Sequence, residues 1–294
     1  MTEAIRAPDD LTEGLPEFPY TSQYRNWDGL RLAHLDEGDG PPVLLVHGEP
    51  TWSFLYRKVM PPLLDAGFRC VAPDMAGFGR SDKPTDLGWY SYDRHTETLA
   101  PLLSELDLRD VTIVVHDWGG PIGLRLAVEN PDRISRFVIL DTGLFTGRQK
   151  MDPAWHAFRD FVERTDDIPV GMLVRRACKT DPGDEIAGAY DAPFPSPESK
   201  AGARAFPLML PITPEMPGAD AGQRVLDALR GDRRAALMLW ADSDPVMPLS
   251  VGERFASALG RPAPETIADA GHFLQEDQGP LIGAKIADWL GSKP

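Results

Sequence analysis

The sequence predicts an α/β fold with a mostly parallel central sheet, flanking helices and an inserted helical segment. Short runs rich in valine, leucine and isoleucine alternate with longer amphipathic stretches, which is the rhythm of strands and helices. This rhythm stops near residue 147 and returns near residue 234. Because successive strands joined by helices pack side by side, the order favours one parallel sheet covered on both faces.

Four strands and two helices are expected before the interruption. The strand candidates are PVLLVHG (42–48), FRCVAPDMAGFG (68–79), DVTIVVHDWGG (110–120) and ISRFVILDTG (134–143). The first three end in small or glycine-rich turns, and each contains a buried-strand pattern. The helix candidates are SYDRHTETLAPLLSELDL (91–108), whose leucines have helical spacing, and GGPIGLRLAVENP (119–131), which a proline ends.

The interruption is predicted to be a helical cap. Helical pieces such as PAWHAFRDFVERT (153–165) and PVGMLVRRACKT (169–180) are separated there by proline-rich loops. Insertions after strands of an open α/β sheet lie at its carboxyl edge, where such sheets bind ligands. We therefore expect a core of residues 1–146 and 229–294 and a cap of residues 147–228.

The chain resumes its sheet pattern after the cap. The candidates are the strands in RAALMLWADSDPV (234–246) and APETIADAGHF (263–273), and the final helix LIGAKIADWLG (281–291).

Composition excludes several classes of partner. The net charge is −15 and no lysine–arginine block interrupts it, so nucleic acid and anionic membrane surfaces are poor partners. The N-terminus lacks the apolar stretch of a signal peptide, and no apolar run is long enough to cross a membrane. The two cysteines are far apart and fit neither a disulfide framework nor a metal site. A cytoplasmic enzyme without a metal is expected.

The stretch VVHDWGG places Asp117 directly after the third strand candidate, with Gly119 and Gly120 close behind. A nucleophile elbow holds its side chain on such a sharp turn, although the usual glycine two residues earlier is Val115 here. The N-terminus of the following helix favours the ionised carboxylate. Asp117 is therefore a candidate nucleophile, and simple helix capping is the alternative reading.

Two more candidates follow later strands in the order nucleophile, acid, histidine, which is known for catalytic triads on open α/β sheets. Asp244 follows the strand after the cap, and His272 follows the last strand. Asp141, after the fourth strand, is a competing candidate for the acid.

A carboxylate nucleophile needs no base to attack a saturated carbon, and the product is an alkyl ester. Water activated by His272 would cleave this ester, with the acid orienting the imidazole. The oxyanion then needs two donors, for which the backbone N–H groups of Glu49, in HGEPTW, and Trp118 are the natural pair.

The indole of Trp118 offers one N–H donor and a large apolar body, which suits an uncharged organic substrate that releases a halide. Trp155 is the one tryptophan of the cap and the candidate for a second halide donor, with helix packing as its alternative reading. The amides Gln149 and Gln223 lie near the ends of the cap.

Five motifs together resemble the haloalkane dehalogenases, of the subfamily whose catalytic acid follows the strand after the cap. They are HGEPTWSFLYRKVMP, APDMAGFGRSDKP, VVHDWGGPIGLRLA, AYDAPFP and IADAGHFLQED. The resemblance extends from about residue 25 to the end of the chain. It implies an α/β-hydrolase fold with Asp117 as nucleophile, Asp244 as acid and His272 as base. It also implies Trp118 and Trp155 as halide ligands, and neither cofactor nor metal.

The expected partners follow from this resemblance. They are a small uncharged halogenated alkane and water as substrates, and a halide as product. The protein is expected to be a monomer or weak homo-oligomer without nucleic-acid or membrane partners.

Three other functions share parts of this pattern. An epoxide hydrolase would need cap tyrosines to protonate the epoxide oxygen, and Tyr190 is the only tyrosine of the predicted cap. A dehalogenase for fluoroacetate would need cations for the substrate carboxylate, for which Arg175 and Arg176 are the adjacent pair in the cap. A non-catalytic ligand-binding protein of this fold would not need the three catalytic candidates.

Overall fold

An eight-stranded sheet forms the centre of the molecule. The structure is a computed structural model that describes residues 2–151 and 153–292. The strands of the described residues are, in chain order, β1 (Ala4–Ile5), β2 (Gln23–Trp27), β3 (Leu30–Glu37), β4 (Pro42–Val46), β5 (Arg69–Pro73), β6 (Lys83–Pro84), β7 (Val111–His116), β8 (Ile134–Leu140), β9 (Ala235–Ala241) and β10 (Glu265–Ile267).

The strand order in the sheet is β10-β9-β8-β7-β4-β5-β3-β2. The strands from β10 to β5 run parallel, β3 is antiparallel to β5, and β2 is antiparallel to β3. The predicted α/β fold with a mostly parallel sheet is confirmed. The antiparallel edge and the separate β1–β6 pair had no counterpart in the prediction.

The central strands are buried on both faces, which explains their continuous apolar sequences. Every residue of β7 is buried, and so are the last four residues of β4. Strands covered by helices on both faces need apolar side chains in both directions, so they lack the alternation of a half-exposed strand.

Helices cover the sheet and fill the insertion. They are α1 (Met60–Asp65), α2 (Tyr92–Glu105), α3 (Gly119–Glu129), α4 (Pro153–Arg164), α5 (Val170–Ala177), α6 (Asp184–Asp191), α7 (Ala201–Met209), α8 (Ala219–Arg230), α9 (Leu249–Ala258) and α10 (Leu274–Gly291). Short 3₁₀ turns lie at Asp9–Thr12, Ser53–Tyr56, Leu87–Trp89 and Pro197–Lys200. Within the described residues, every helix is too short or too polar to span a lipid bilayer.

Helices α4 to α8 separate β8 from β9 in the chain, and the described residues between these strands contain no strand. Helix α8 packs against α3, which follows the central strand β7. The predicted cap end at residue 228 lies inside α8, and a boundary there would divide a continuous helix. The cap limits therefore remain a prediction, and we propose that the cap ends before Ala219.

The last helix begins earlier than the sequence predicted. It starts at Leu274 rather than at Leu281, and it contains Pro280. The proline is accommodated because Gln278 leaves the helical conformation, with φ −133°, and so forms a kink.

Candidate active site

Asp117 lies in a sharp turn between β7 and α3. Its φ of +49° is in the left-handed region, which is costly for a residue with a side chain. Close approach of the backbone maintains this turn. A Cβ added to Gly48 would lie 2.3 Å from Asp117 Oδ1, and one added to Gly120 would lie 1.8 Å from Thr142 Oγ1. The Thr142 hydroxyl also donates to the carbonyl oxygen of Asp117 at 2.5 Å. This is the geometry of a nucleophile elbow.

The carboxylate of Asp117 is anionic in this environment. Burial opposes its ionisation, but the hydrogen bond and positive charge of His272, with the backbone N–H of Trp118, outweigh burial and lower the pKa of Asp117. The backbone N–H of Glu49 donates to Asp117 Oδ1 at 2.7 Å. Two backbone donors, from Glu49 and Trp118, thus face the carboxyl group from the turns after β4 and β7.

His272 links Asp117 to Asp244. Its Nδ1 lies 2.8 Å from Asp244 Oδ2, and its Nε2 lies 3.5 Å from Asp117 Oδ2. Asp244 is held by the backbone N–H groups of Val246 and Met247, which donate to Oδ1 at 2.6 and 2.8 Å. The turn after β9 therefore aims Asp244 at the imidazole, so that Nδ1 carries a proton and donates it to Asp244.

The two carboxylates determine the charge of His272. Burial lowers the pKa of the imidazole, but the negative charge of Asp244 and the contacts with Asp117 raise it well above its ordinary value. Both carboxylates therefore favour the protonated imidazole in the resting site.

Asp141, the competing acid, is fully buried beside Asp244. Its Oδ1 accepts the backbone N–H of Ala241 at 3.0 Å. Burial raises the pKa of Asp141 well above its ordinary value, and the negative charge of Asp244 adds to this. Because two neighbouring buried carboxyls cannot both ionise at low cost, Asp141 retains the proton and donates it in a hydrogen bond to Asp244. Asp244 is thus the anion that faces His272.

The Glu49 side chain is a second neutral acid at this site. Burial raises its pKa well above the ordinary value, and the charge of Asp117 raises it further. Its Oε1 is buried without a hydrogen-bond partner among the described residues. A neutral Glu49 therefore adds no second negative charge beside Asp117.

The Trp118 ring forms part of an aromatic wall beside Asp117. Its centroid lies 5.6 Å from that of Phe145 and 5.0 Å from that of Phe206, which is in α7. Trp118 is 5% exposed and also borders a cavity of about 10 Å³ that Pro211 helps to line. The inserted segment therefore meets the core at Trp118.

Trp155 lies on α4, partly buried against the core cluster, with its ring 5.2 Å from that of His156. These contacts do not decide between the halide-ligand and packing interpretations, so its role remains a prediction.

Two further histidines support the backbone of the site. His116 Nε2 lies 2.8 Å from the carbonyl oxygen of His272, and the rings of the two residues are 4.9 Å apart. His47 Nε2 accepts the backbone N–H of Met75 at 3.0 Å, and its Nδ1 lies 2.9 Å from the carbonyl oxygen of Gly48. Burial lowers the pKa of both imidazoles, so they act as neutral hydrogen-bonding groups.

One cluster has a spacing that could suit a metal ion. Asp141, Asp244 and His272 each place one ligand atom within 4.8 Å of the others. The hydrogen bonds described above already engage these groups with one another and with backbone N–H groups. We therefore interpret the cluster as a hydrogen-bond network that orients the imidazole of His272.

Comparison with known proteins gives matches over nearly the whole chain. The family described as alpha/beta hydrolase fold matches residues 41–170. A haloalkane dehalogenase of Mycolicibacterium paratuberculosis is 40% identical over 297 residues, covering 97% of this chain and 97% of that protein. One of Psychrobacter cryohalolentis is 38% identical over 302 residues, covering 99% of both. Among solved structures, tetrameric haloalkane dehalogenase DpaA from Paraglaciecola agarilytica NO2 matches with TM-score 0.90 and 34% identity, covering 99% of both chains.

Proposed function

The chain belongs to the haloalkane dehalogenases, which are hydrolases of carbon–halogen bonds, and we propose that Asp117, His272 and Asp244 carry this reaction. The observation that carries the proposal is the line of contacts from Asp244 through His272 to Asp117, at 2.8 and 3.5 Å. The reaction converts a haloalkane and water into an alcohol, a halide ion and a proton.

In the first half-reaction, a carboxylate oxygen of Asp117 attacks the carbon that bears the halogen. A new carbon–oxygen bond forms while the carbon–halogen bond breaks, and the halide leaves with the bonding electron pair. The low pKa of Asp117 supports this role, because the nucleophile is already an anion and no proton must be removed.

The second half-reaction cleaves the resulting ester with water. Alkylation removes the negative charge of Asp117, which is one of the groups that raise the pKa of His272. The pKa of the imidazole therefore falls once the ester has formed, and the neutral ring becomes available as a base at that moment. His272 removes a proton from water, and the hydroxide attacks Cγ of Asp117.

The oxyanion that forms at Cγ needs two donors, for which we propose the backbone N–H groups of Glu49 and Trp118. The Glu49 contact of 2.7 Å supports this assignment. Collapse of the tetrahedral intermediate breaks the bond between Cγ and the ester oxygen. The alcohol therefore leaves with the Asp117 oxygen that attacked the haloalkane in the first half-reaction, and the oxygen of water stays on Asp117. One proton of the water leaves with the alcohol, and the other stays on His272, where it replaces the proton that the imidazole lost to solvent when the ester formed.

We propose the indole N–H of Trp118 as the first halide donor, and that of Trp155 as the second. The apolar wall of Trp118, Phe145 and Phe206 supports an uncharged haloalkane as substrate, because it offers no cation to a substrate carboxylate. In the cap, Arg175 is paired with Asp181 and Asp184, at 2.5 Å each, which disfavours the fluoroacetate alternative.

The epoxide hydrolase alternative is not favoured. It would need Tyr190 to protonate the epoxide oxygen. Tyr190 is instead fully buried, and its hydroxyl donates to Glu276 at 2.5 Å.

The sequence predicted a monomer or weak homo-oligomer, and we retain this as a proposal for a chain whose relative DpaA is tetrameric.

Single turnover in ¹⁸O-labelled water tests the covalent route. We expect ¹⁸O in the Asp117 carboxylate, because water attacks the carbonyl carbon of the ester. Peptide mass spectrometry measures this label. Label found only in the alcohol would indicate direct attack of water on the haloalkane and would reject the covalent mechanism.

His272→Phe provides the complementary test. Loss of a general base slows the step it serves by roughly 10²–10⁴-fold, whereas displacement by Asp117 needs no base. The variant should release one equivalent of halide per active site and then stop, with the alkyl group retained on Asp117. Steady turnover in this variant would contradict the role of His272.

A further inference from the structure

Two acidic residues in the first turn of α10 hold the segment that carries His272, and the mechanism above does not use them. They are Glu276 and Asp277. Glu276 is 6% exposed, and both residues bind groups of the inserted segment between β8 and β9.

Asp277 joins the two segments through three backbone N–H groups. Its Oδ2 accepts from Gly271, which directly precedes His272, at 2.9 Å and from Lys179 at 2.8 Å. Its Oδ1 accepts from Thr180 at 2.8 Å. Lys179 and Thr180 belong to the connection between α5 and α6. One carboxylate therefore ties the histidine loop to the cap, through charge-assisted hydrogen bonds that are stronger than neutral ones.

The two backbones also touch directly. The N–H of His272 donates to the carbonyl oxygen of Ala177, the last residue of α5, at 2.8 Å. A Cβ added to Gly271 would lie 2.4 Å from the same carbonyl oxygen. A side chain at Gly271 would separate the segments, so the glycine permits a contact that positions the next residue.

Glu276 makes the second connection inside the protein. Its carboxylate accepts two hydrogen bonds from Arg57, at 2.5 and 2.8 Å, and one from the Tyr190 hydroxyl of α6 at 2.5 Å. Arg57 is fully buried and its guanidinium lies 3.9 Å from the centroid of Phe54. A buried ion pair holds its partners in one arrangement, because removal of either residue leaves the charge of the other buried and unpaired.

We propose that Asp277 and Glu276 fix the α5–α6 part of the cap against the segment that carries His272. This part of the cap would then hold the imidazole in the position that ester hydrolysis requires. Asp277 and Tyr190 are thus positioning residues for the second half-reaction. The alkylation step depends on the elbow at Asp117, which these contacts do not touch. The proposal rests on the proposed role of His272.

Asp277→Asn tests the support with little change in side-chain size. The amide of asparagine has an NH₂ group in place of one carboxylate oxygen. This group cannot accept a hydrogen bond, so the backbone N–H groups that bind that oxygen in the parent protein lose their acceptor. Asp288→Asn is the matched control, because Asp288 is an exposed carboxylate on the same helix. Each variant and the parent protein react with 1,2-dibromoethane in a single turnover, and bromide and alcohol formation are timed separately.

In Asp277→Asn we expect bromide release at the parent rate and alcohol formation slowed by roughly 10-fold, because a small displacement of a catalytic group has effects of this order or larger. The alkyl group should accumulate on the Asp117 peptide. Asp288→Asn should match the parent in both steps. A merely structural role of Asp277 would slow both steps together.

Tyr190→Phe is the second variant, and it decides the question if Asp277→Asn does not fold. It removes only the hydroxyl that binds Glu276, and we expect the same separation of steps with alcohol formation slowed by about 3-fold. Equal slowing of both steps, or no slowing of either, in the folded variants would overturn the proposed support. Absence of bromide release by the parent protein would instead reject the proposed function.

Discussion

At the scale of single residues, the proposed mechanism couples its two half-reactions through the charge on Asp117. Asp117 and Asp244 both raise the pKa of His272, while burial lowers it. The proposed ester carries no charge, so its formation is expected to lower the pKa of His272 and to make the imidazole available as a base.

Asp117→Asn should lower the pKa of His272, because the neutral amide removes one of the two negative charges in the way that the ester does. Histidine NMR titrations of the parent and the variant measure this shift. When hydrolysis limits turnover, kcat reports the pKa of His272 in the alkyl-enzyme. The acid limb of the kcat–pH profile should therefore lie at a lower pH than the pKa of His272 in the free enzyme. An unchanged pKa in Asp117→Asn would show that Asp117 does not control the imidazole.

Asp244→Ala should reduce turnover by roughly 10²–10⁴-fold, because His272 loses the anion that orients it. Asp141→Asn should stay within about 3-fold of the parent, since an amide N–H can replace the donated hydrogen bond at a small net cost. Steady-state halide release compares the two variants. The reverse ranking would transfer the acid role to Asp141.

The sequence predicted which residues meet in the site, because parallel strands carry their following turns to one edge of the sheet. Asp117, Asp244 and His272 were found in this way. It could not predict that Asp141 keeps its proton, because that depends on the approach of two chain segments about 100 residues apart. Asp277 is the last residue of the motif IADAGHFLQED, yet its backbone partners Lys179 and Thr180 have no sequence signature.

Elements with strong local patterns were predicted well, whereas elements that depend on pairing were missed. Helices α4 and α5 follow the predicted stretches closely. Strand β2 has largely exposed residues, and β1 and β6 have two residues each, so their apolar periodicity is too short or too weak to recognise. These strands exist because a neighbouring strand supplies hydrogen bonds.

Helix α4 carries the prediction for the second halide donor. Trp155→Phe keeps an apolar ring but removes the indole N–H, and a lost hydrogen bond to a charged group weakens binding by about 10-fold or more. Bromide titrations followed by tryptophan fluorescence measure the affinity. His156→Phe changes the adjacent ring of the same helix and should leave bromide affinity unchanged. Unchanged affinity in Trp155→Phe would place the second donor elsewhere.

The net charge of −15 acts at the scale of the whole molecule. It repels anionic substrates over distances comparable with the Debye length, which is about 10 Å at 0.1 M salt. Added sulfate salt should therefore raise kcat/KM for bromoacetate several-fold from its low-salt value and leave that for 1-bromobutane within about 2-fold. Sulfate is chosen because chloride would compete for a halide site. An equal salt response of both substrates would exclude this field effect.

The close approach of the backbone around Asp117 limits which positions of the site can be substituted without loss of activity. Any side chain at Gly48 would collide with Asp117, and any at Gly120 with Thr142, so random mutagenesis at these two codons should return almost only inactive clones. Tolerated substitutions should instead concentrate at Phe145 and Phe206, which belong to the aromatic wall but lie outside the turn at Asp117. A library focused on those two positions would therefore sample new substrate ranges while the reaction chemistry is inherited unchanged.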